Sequence, residues 1–206
     1  MATCNASSLL TANPFTRLDP GLLDAIKLQL LCDISANGGG GSGSGGSTSY
    51  WISSAAMVPR VTNGPGVNSS ETATNDSNYD TLDFDAATSE GANFTWAIPN
   101  NWDLGTVTAR FVFTNDSGSG TVTWKLCGRC VADGEAIDSA FGTAQSVTKT
   151  VTGTSNWNIT AATPAITIGG TPSVSAPIQW LVERDIADTL AVDARLIGLF
   201  INWTAA

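Results

Sequence analysis

The run Thr106-Val-Thr-Ala-Arg-Phe-Val-Phe-Thr114 alternates apolar and polar side chains. In an extended chain that period of two sends Val107, Ala109, Phe111 and Phe113 to one face and mainly Thr and Arg to the other, the pattern of a strand half buried in a sheet. The turn-forming stretch Asn115-Asp-Ser-Gly-Ser-Gly120 follows, and residues 121–126 alternate again with Val122, Trp124 and Leu126 on the apolar side. Together the two runs predict a hairpin.

Outward from this pair, residues 49–57, 79–84, 92–98, 145–151, 157–160, 165–168, 177–183 and 194–203 are further strand candidates. In the last of these, Ile197, Leu199, Ile201 and Trp203 share one face while Leu196 and Phe200 lie on the other, so both faces are expected to be covered. Residues 134–141 carry a weak helical pattern. Many short strands separated by Gly, Asn, Asp and Pro, with no internal repeat, predict a mostly β chain: an antiparallel β-sandwich of jelly-roll type with about eight to ten strands. The expected domain covers residues 49–206.

Before it the composition changes. Residues 37–48 are rich in Gly and Ser and read as a flexible linker. Residues 1–36 hold one predicted helix, about 20–35, with Asp19 as N-cap, Pro20 at the first helical position and Asn37-Gly38 as the stop. Its apolar stripe is Leu22, Leu23, Ile26, Leu30, Leu31 and Ile34. A lone helix of this length is marginal in water, so the stripe is expected to dock on a partner surface and act as an anchor.

Charged residues make up 13% of the chain, against about 25% in an average soluble protein, so Thr, Ser, Asn and Gly must carry the polar surface. That suits a long-lived extracellular or particle-bound β protein. The net charge of −9 with only nine Lys and Arg argues against nucleic acid, whose binding depends on cations neutralising phosphates, and against an anionic membrane surface. No segment approaches the ~20 apolar residues of a membrane span. Residues 1–10 lack the basic start and apolar run of a signal peptide.

The chemistry-bearing candidates are few. The chain has no His, and its four cysteines are Cys4, Cys32, Cys127 and Cys130. The Cys127-Gly-Arg-Cys130 pair ends a strand-like run and has no second ligand pair for zinc, so buried thiols are expected, with a disulfide or a metal as alternatives. Asp80, Asp83, Asp85 and Glu90 form the densest acidic stretch. Asp83 and Asp85, on one face by alternation, suggest calcium, or else a charged edge that blocks strand addition. No pair among the 18 acidic residues is marked as a glycosidase dyad. Neither a catalytic site, nor a metal, nor a cofactor is expected. Of the seven tryptophans, Trp96, Trp124 and Trp180 occupy core-like alternating positions. Trp51, Trp102 and Trp157 flank turns and are candidates for stacking on sugar rings. Asn-x-Ser/Thr triplets such as Asn93-Phe-Thr95 and Asn158-Ile-Thr160 carry no weight in so Thr-rich a chain.

Several stretches are similar to a known class. Trp51-Ile-Ser-Ser-Ala-Ala-Met-Val-Pro-Arg-Val-Thr-Asn-Gly64, Thr81-Leu-Asp-Phe-Asp85, Ile98-Pro-Asn-Asn-Trp-Asp-Leu-Gly-Thr-Val107, Phe141-Gly-Thr-Ala-Gln145 and Asp188-Thr-Leu-Ala-Val-Asp-Ala-Arg-Leu-Ile-Gly198 resemble a β domain of tailed-phage and prophage virion proteins, over most of residues 50–204. Leu18-Asp-Pro-Gly-Leu-Leu-Asp-Ala-Ile-Lys-Leu-Gln-Leu-Leu-Cys32 resembles short anchor segments of phage appendage proteins. The resemblance implies a non-enzymatic structural protein of the virion, made in the host cytoplasm, with other virion proteins and a host surface glycan as partners. A trimeric tail-fibre or baseplate appendage is the first expectation. A capsid decoration or cement (head-fibre) protein stapling major capsid subunits, and a carbohydrate-binding module, are the alternatives. Virion parts are commonly symmetric and two-faced strands offer a second apolar face to identical copies, so a homotrimer is expected.

Overall fold

The computed structural model describes residues 46–206. Its strands, in chain order, are β1 (Ser47–Ser53), β2 (Val58–Pro59), β3 (Gly66–Glu71), β4 (Asn78–Phe84), β5 (Gly91–Trp96), β6 (Thr108–Thr114), β7 (Thr121–Cys130), β8 (Gln145–Thr150), β9 (Asn158–Ile159), β10 (Ile178–Arg184) and β11 (Ala194–Thr204). They form two antiparallel sheets. The six-stranded sheet runs β3-β4-β11-β6-β9, with β1 continuing along β11 beyond the point where β4 leaves it, and the five-stranded sheet runs β2-β5-β10-β7-β8.

Four of the pairings, β4 with β11, β5 with β10, β6 with β9 and β7 with β8, nest inside one another. The chain is therefore one long hairpin whose two arms wind over each other as successive strands alternate between sheets. That winding is the jelly roll expected from the sequence.

The core lies between the sheets. Trp124 sits at its centre, fully buried, with ring centroids 5.1 Å from Phe84, 5.7 Å from Phe111 and 5.7 Å from Phe113. The predicted hairpin between β6 and β7 is not formed: the two strands lie in different sheets, and the turn at residues 115–120 carries the chain across the sandwich. Paired side by side, their two apolar faces would both need a further layer. Set opposite each other, they bury one another. Gly120 has φ 146°, and a Cβ there would stand 2.6 Å from the Thr189 carbonyl oxygen, so only glycine makes this crossing.

Other differences have equally local causes. Residues 165–168 contribute only a bridge between Ile166 and Val107, and residues 134–141 contain no helix. The edge strand β3 escapes sequence reading because Gly-Val-Asn-Ser-Ser-Glu lacks apolar alternation. β1 already begins at Ser47, inside the stretch assigned to the linker. In β11, Leu196 pairs with Phe113 but Gly198 with Val112, leaving Ile197 as the extra residue of a bulge. Ala194 and Leu196 point inward before it, and Leu199, Ile201 and Trp203 after it. The bulge reverses the parity, so Ile197 does not share the core face of Leu199.

Arg184, fully buried, ties the layers together. It donates from Nε and Nη2 to the Asp188 carboxylate, both at 2.9 Å, and from Nη1 to the carbonyls of Phe84 at 3.0 Å and Val192 at 2.8 Å. Cys127 and Cys130 are free thiols. Three residues apart on one strand, they face opposite sides of the sheet, Cys130 in the core and Cys127 outward, which closes off a disulfide between them. Burial pushes the Cys127 thiol up to about 11.

Candidate functional site

The outer face of the six-stranded sheet carries the exposed indoles of Trp51 and Trp157. The bulge turns Ile197 onto this face, where it is 7% exposed and floors a cleft of about 520 Å³ together with Thr114 of β6. One wall is the β3–β4 turn, with Thr72, Ser77 and Tyr79, and the other is the segment before β9, with Ser155 and Trp157.

Both walls are braced by local hydrogen bonds. In the first, the Thr72 amide donates to the Ser77 carbonyl and the Ser77 amide to the Thr72 hydroxyl, each at 3.0 Å. In the second, the buried Asn158 carboxamide accepts from the Thr152 amide at 2.9 Å and donates to the Asn156 carbonyl at 3.1 Å. The Ser155 amide donates to the Asn115 carbonyl at 2.7 Å. Asp76 (φ 50°) and Ser155 (φ 55°) adopt left-handed backbone without being glycine, a conformation that persists only where the surroundings impose it. The outcome is an indole held outward: Trp157 is 64% exposed.

Thr114 is 5% exposed, and its hydroxyl has no hydrogen-bond partner among the described residues. Such a group costs about 1–3 kcal/mol unless something fills its valence. The groups lining the cleft are hydroxyls, an amide, a phenol, an indole and an aliphatic floor, and none is charged.

At the far end of the face, Trp51 of β1 pairs with Phe200 of β11, and Phe200 with Arg110 of β6. The Trp51 and Phe200 rings stand 4.9 Å apart at 56°. Gly198 makes room for this indole, since a Cβ there would meet Trp51 Cζ2 at 2.5 Å. At the near end, beyond Thr114, Arg195 Nε donates to Asp83 Oδ1 at 3.2 Å and Nη1 to Asp116 Oδ1 at 2.5 Å, beside Asp193 in a second hollow of about 390 Å³.

No family model matches this chain, and no curated protein does. Among solved structures it is similar to the isomalto-dextranase of Arthrobacter globiformis T6 complexed with panose, at 18% identity over 76% of this chain with a TM-score of 0.43. It spans only 23% of that enzyme. It is similar to the C-terminal family 22 carbohydrate-binding module of Clostridium thermocellum Xyn10B, at 16% identity over 75% of this chain and 92% of the other, TM-score 0.41. A carbohydrate-binding module specific for non-crystalline cellulose matches at 9% identity over 73% and 86%, TM-score 0.39. These TM-scores all stay below 0.5. Such likenesses decide neither what this chain binds nor which residues bind it.

Of the three candidate tryptophans, Trp157 walls the cleft and Trp51 lies on the same face. Trp102 does not belong with them. It is 1% exposed, because a turn in which its amide donates to the Pro99 carbonyl at 3.0 Å folds the indole into the end of the sandwich. A turn-flanking position gave no warning, since this turn is itself a plug. Among the core-like set, Trp124 and Trp180 are fully buried, while Trp96 is only partly buried and stacks on Tyr50 at 5.0 Å.

The anchor residues Leu22, Leu23, Ile26, Leu30, Leu31 and Ile34 lie outside the described residues. Among the described residues no group of three or more His, Cys, Asp or Glu is arranged to hold a metal. Asp83 instead accepts from Thr81 Oγ1 at 2.6 Å, Asn68 Nδ2 at 3.1 Å and Arg195. Tyr79, Thr114, Ile197, Phe200 and Arg110 went unrecognised as site residues, because a bulge and strand pairings distant in sequence bring them together.

Proposed function

We propose that the β domain is a non-catalytic carbohydrate-binding module that takes a glycan on the outer face of its six-stranded sheet. The observation that carries this reading is the uncharged cleft between Tyr79 and Trp157, with its apolar floor and the unpartnered Thr114 hydroxyl. A sugar presents C–H groups on its ring faces, which pack against indole and phenol rings. Its hydroxyls both donate and accept, which suits Thr72, Ser77, Asn78 and Ser155. A purely apolar ligand would leave Thr114 unsatisfied, and an ion would find no countercharge in the cleft. Hydrolysis would require one carboxylic acid holding a proton and a second free carboxylate across the sugar, whereas Asp83 and Asp116 are both bound to Arg195. Calorimetry of the full chain against a broad set of soluble glycans tests this. Trp157→Ala is expected to weaken the best binder about 30-fold, the worth of about 2 kcal/mol for a central aromatic anchor. Retained affinity in that variant, or no glycan bound by the wild type, overturns the reading.

For the chain as a whole we propose a virion setting, resting on the resemblance of residues 18–32 and 50–204 to phage appendage proteins, with this face turned to the host surface glycan. Leu30→Asp with Ile34→Asp is expected to abolish incorporation into particles while leaving the domain's melting temperature unchanged. Normal incorporation overturns the anchor. Copy number per particle separates a tail appendage from capsid cement, and light scattering tests the homotrimer.

A further inference from the structure

Among the described cations, Arg60 faces Glu183, Lys125 faces Asp185, Arg184 faces Asp188, and Arg195 faces Asp83 and Asp116, while Arg110, Arg129 and Lys149 have no carboxylate partner among the described residues. Arg129 is buried on β7 and Lys149 lies on β8, both in the five-stranded sheet, so Arg110 is the unpaired cation of the six-stranded sheet. It is exposed, it makes a single long hydrogen bond from Nε to the Thr160 carbonyl at 3.4 Å, and no carboxylate among the described residues pairs with it. What sets this guanidinium apart is its place: it is exposed and closes the cross-strand row that begins with Trp51 and Phe200.

We propose that Arg110 is the specificity determinant of the binding face and that its ligand is an acidic oligosaccharide, with a uronic-acid type of sugar lying over the Trp51–Phe200 row and its carboxylate on Arg110. The proposal rests on the carbohydrate-binding reading and sharpens it. Planar guanidinium forks match carboxylates in two parallel hydrogen bonds, and aromatic rings alongside accept the sugar's C–H face. Thr114 and Arg110 are four residues apart on β6, about 13 Å at about 3.3 Å per residue, so cleft and cation together fit a short oligosaccharide rather than one sugar. The ends of the face also differ in sign. Asp83, Asp116 and Asp193 crowd the end beyond the cleft and repel a carboxylate there, which leaves Arg110 as the place for it and fixes the direction of the bound chain.

The test is calorimetry of the full chain with galacturonate, glucuronate, mannuronate and guluronate oligosaccharides, each beside its methyl ester, which keeps the ring and removes the charge. For at least one pair the acid is expected to bind about fivefold tighter than the ester, as a partly solvated ion pair allows, and less so in high salt. Arg110→Gln should erase that difference, so that acid and ester bind alike, with the melting temperature unchanged. Equal binding of acid and ester throughout, or a preference that survives Arg110→Gln, overturns the proposal while leaving carbohydrate binding intact. The same holds if only neutral glycans bind. Failure to bind any glycan overturns both.

Discussion

On the outer face of the five-stranded sheet, the hydroxyls of Thr123 and Thr148 meet at 2.8 Å, Lys125 holds Asp185 at 2.8 Å and Arg60 holds Glu183 at 3.1 Å. Asn93, Leu181 and Cys127 form one row between them, and in the next the buried Arg129 donates from Nη2 to the Ala136 carbonyl at 3.0 Å. The outer face of the other sheet presents Trp51, Tyr79, Trp157 and Phe200, a buried hydroxyl without a partner and a guanidinium without a carboxylate. Both faces are the reverse sides of strands that build one core, so stability alone does not call for the difference. The five-stranded face keeps its unmatched donors, Arg60 Nε and Arg129 Nε and Nη1, buried, whereas the other face holds aromatic rings and Arg110 out to solvent. Exposed aromatic rings gathered on one face of a domain are a physical mark of a binding surface.

The comparison presupposes a common interior, and the largest expected effect tests that. Phe111 is fully buried against Trp124, one residue from Val112 on the outer face. Phe111→Ala is expected to cost about 3–5 kcal/mol, read as a lower denaturation midpoint, with glycan binding lost only in proportion to unfolded protein. A midpoint that hardly moves would mean the register of β6 is misassigned and with it the face to which Arg110 belongs.

Next come the faces themselves. Tyr79→Ala combined with Trp157→Ala should abolish measurable glycan binding while changing stability by no more than about 1 kcal/mol, since surface substitutions away from buried features cost little. Thr123→Val is the matched change on the other face. It removes one exposed hydroxyl pair and is expected to stay within about 0.5 kcal/mol with affinity unchanged. If Thr123→Val weakens glycan binding as well, the contrast between the faces fails.

How much of this was legible follows from where the information sits. The β class, most strands and the jelly-roll type are written in local alternation, which Phe111, Trp124 and Trp180 obey without exception. The pairing of β6 and β7 was misread because alternation says which side chains face inward but not which strand lies alongside. Simple alternation puts Ile197 on the face of Leu199, because one inserted residue reverses parity, and only the register with Phe113 and Val112 exposes the insertion. Trp51 and Trp157 could be proposed from turn-flanking positions, but the same rule proposed Trp102, since exposure beside a turn depends on whether the turn stands off or folds in. Arg110 carried no local signal: its meaning comes from Phe200 and Trp51, distant in sequence and adjacent in the sheet.

The smallest effect concerns Glu90, in the segment that leads from β4 in one sheet to β5 in the other. Glu90 accepts a hydrogen bond from the Asp85 amide at 2.7 Å, but burial raises its carboxyl above the ordinary range, and repulsion from Asp85 and Asp193 adds to the shift. A carboxyl that holds its proton more tightly when folded than when unfolded favours the folded state at low pH. That advantage is lost as pH rises from its unfolded pKa through the folded one. At neutral pH the ionised Glu90 is therefore a small liability. Glu90→Gln keeps the acceptor and removes the charge, so it is expected to raise the melting temperature slightly at pH 7. The gain should shrink as pH falls and disappear once the carboxyl is protonated in both the folded and the unfolded chain. Asp185 behaves oppositely: the hydrogen bond from Lys125 holds its carboxyl below the ordinary range, so Asp185→Asn should lower the melting temperature at pH 7 and lose its effect in acid. Opposite signs at the two carboxylates would show that the acidic cluster around Glu90 is held against its own repulsion, whereas Asp185 is held by a matched cation. The same sign at both would remove the electrostatic half of the comparison and leave only the aromatic half standing.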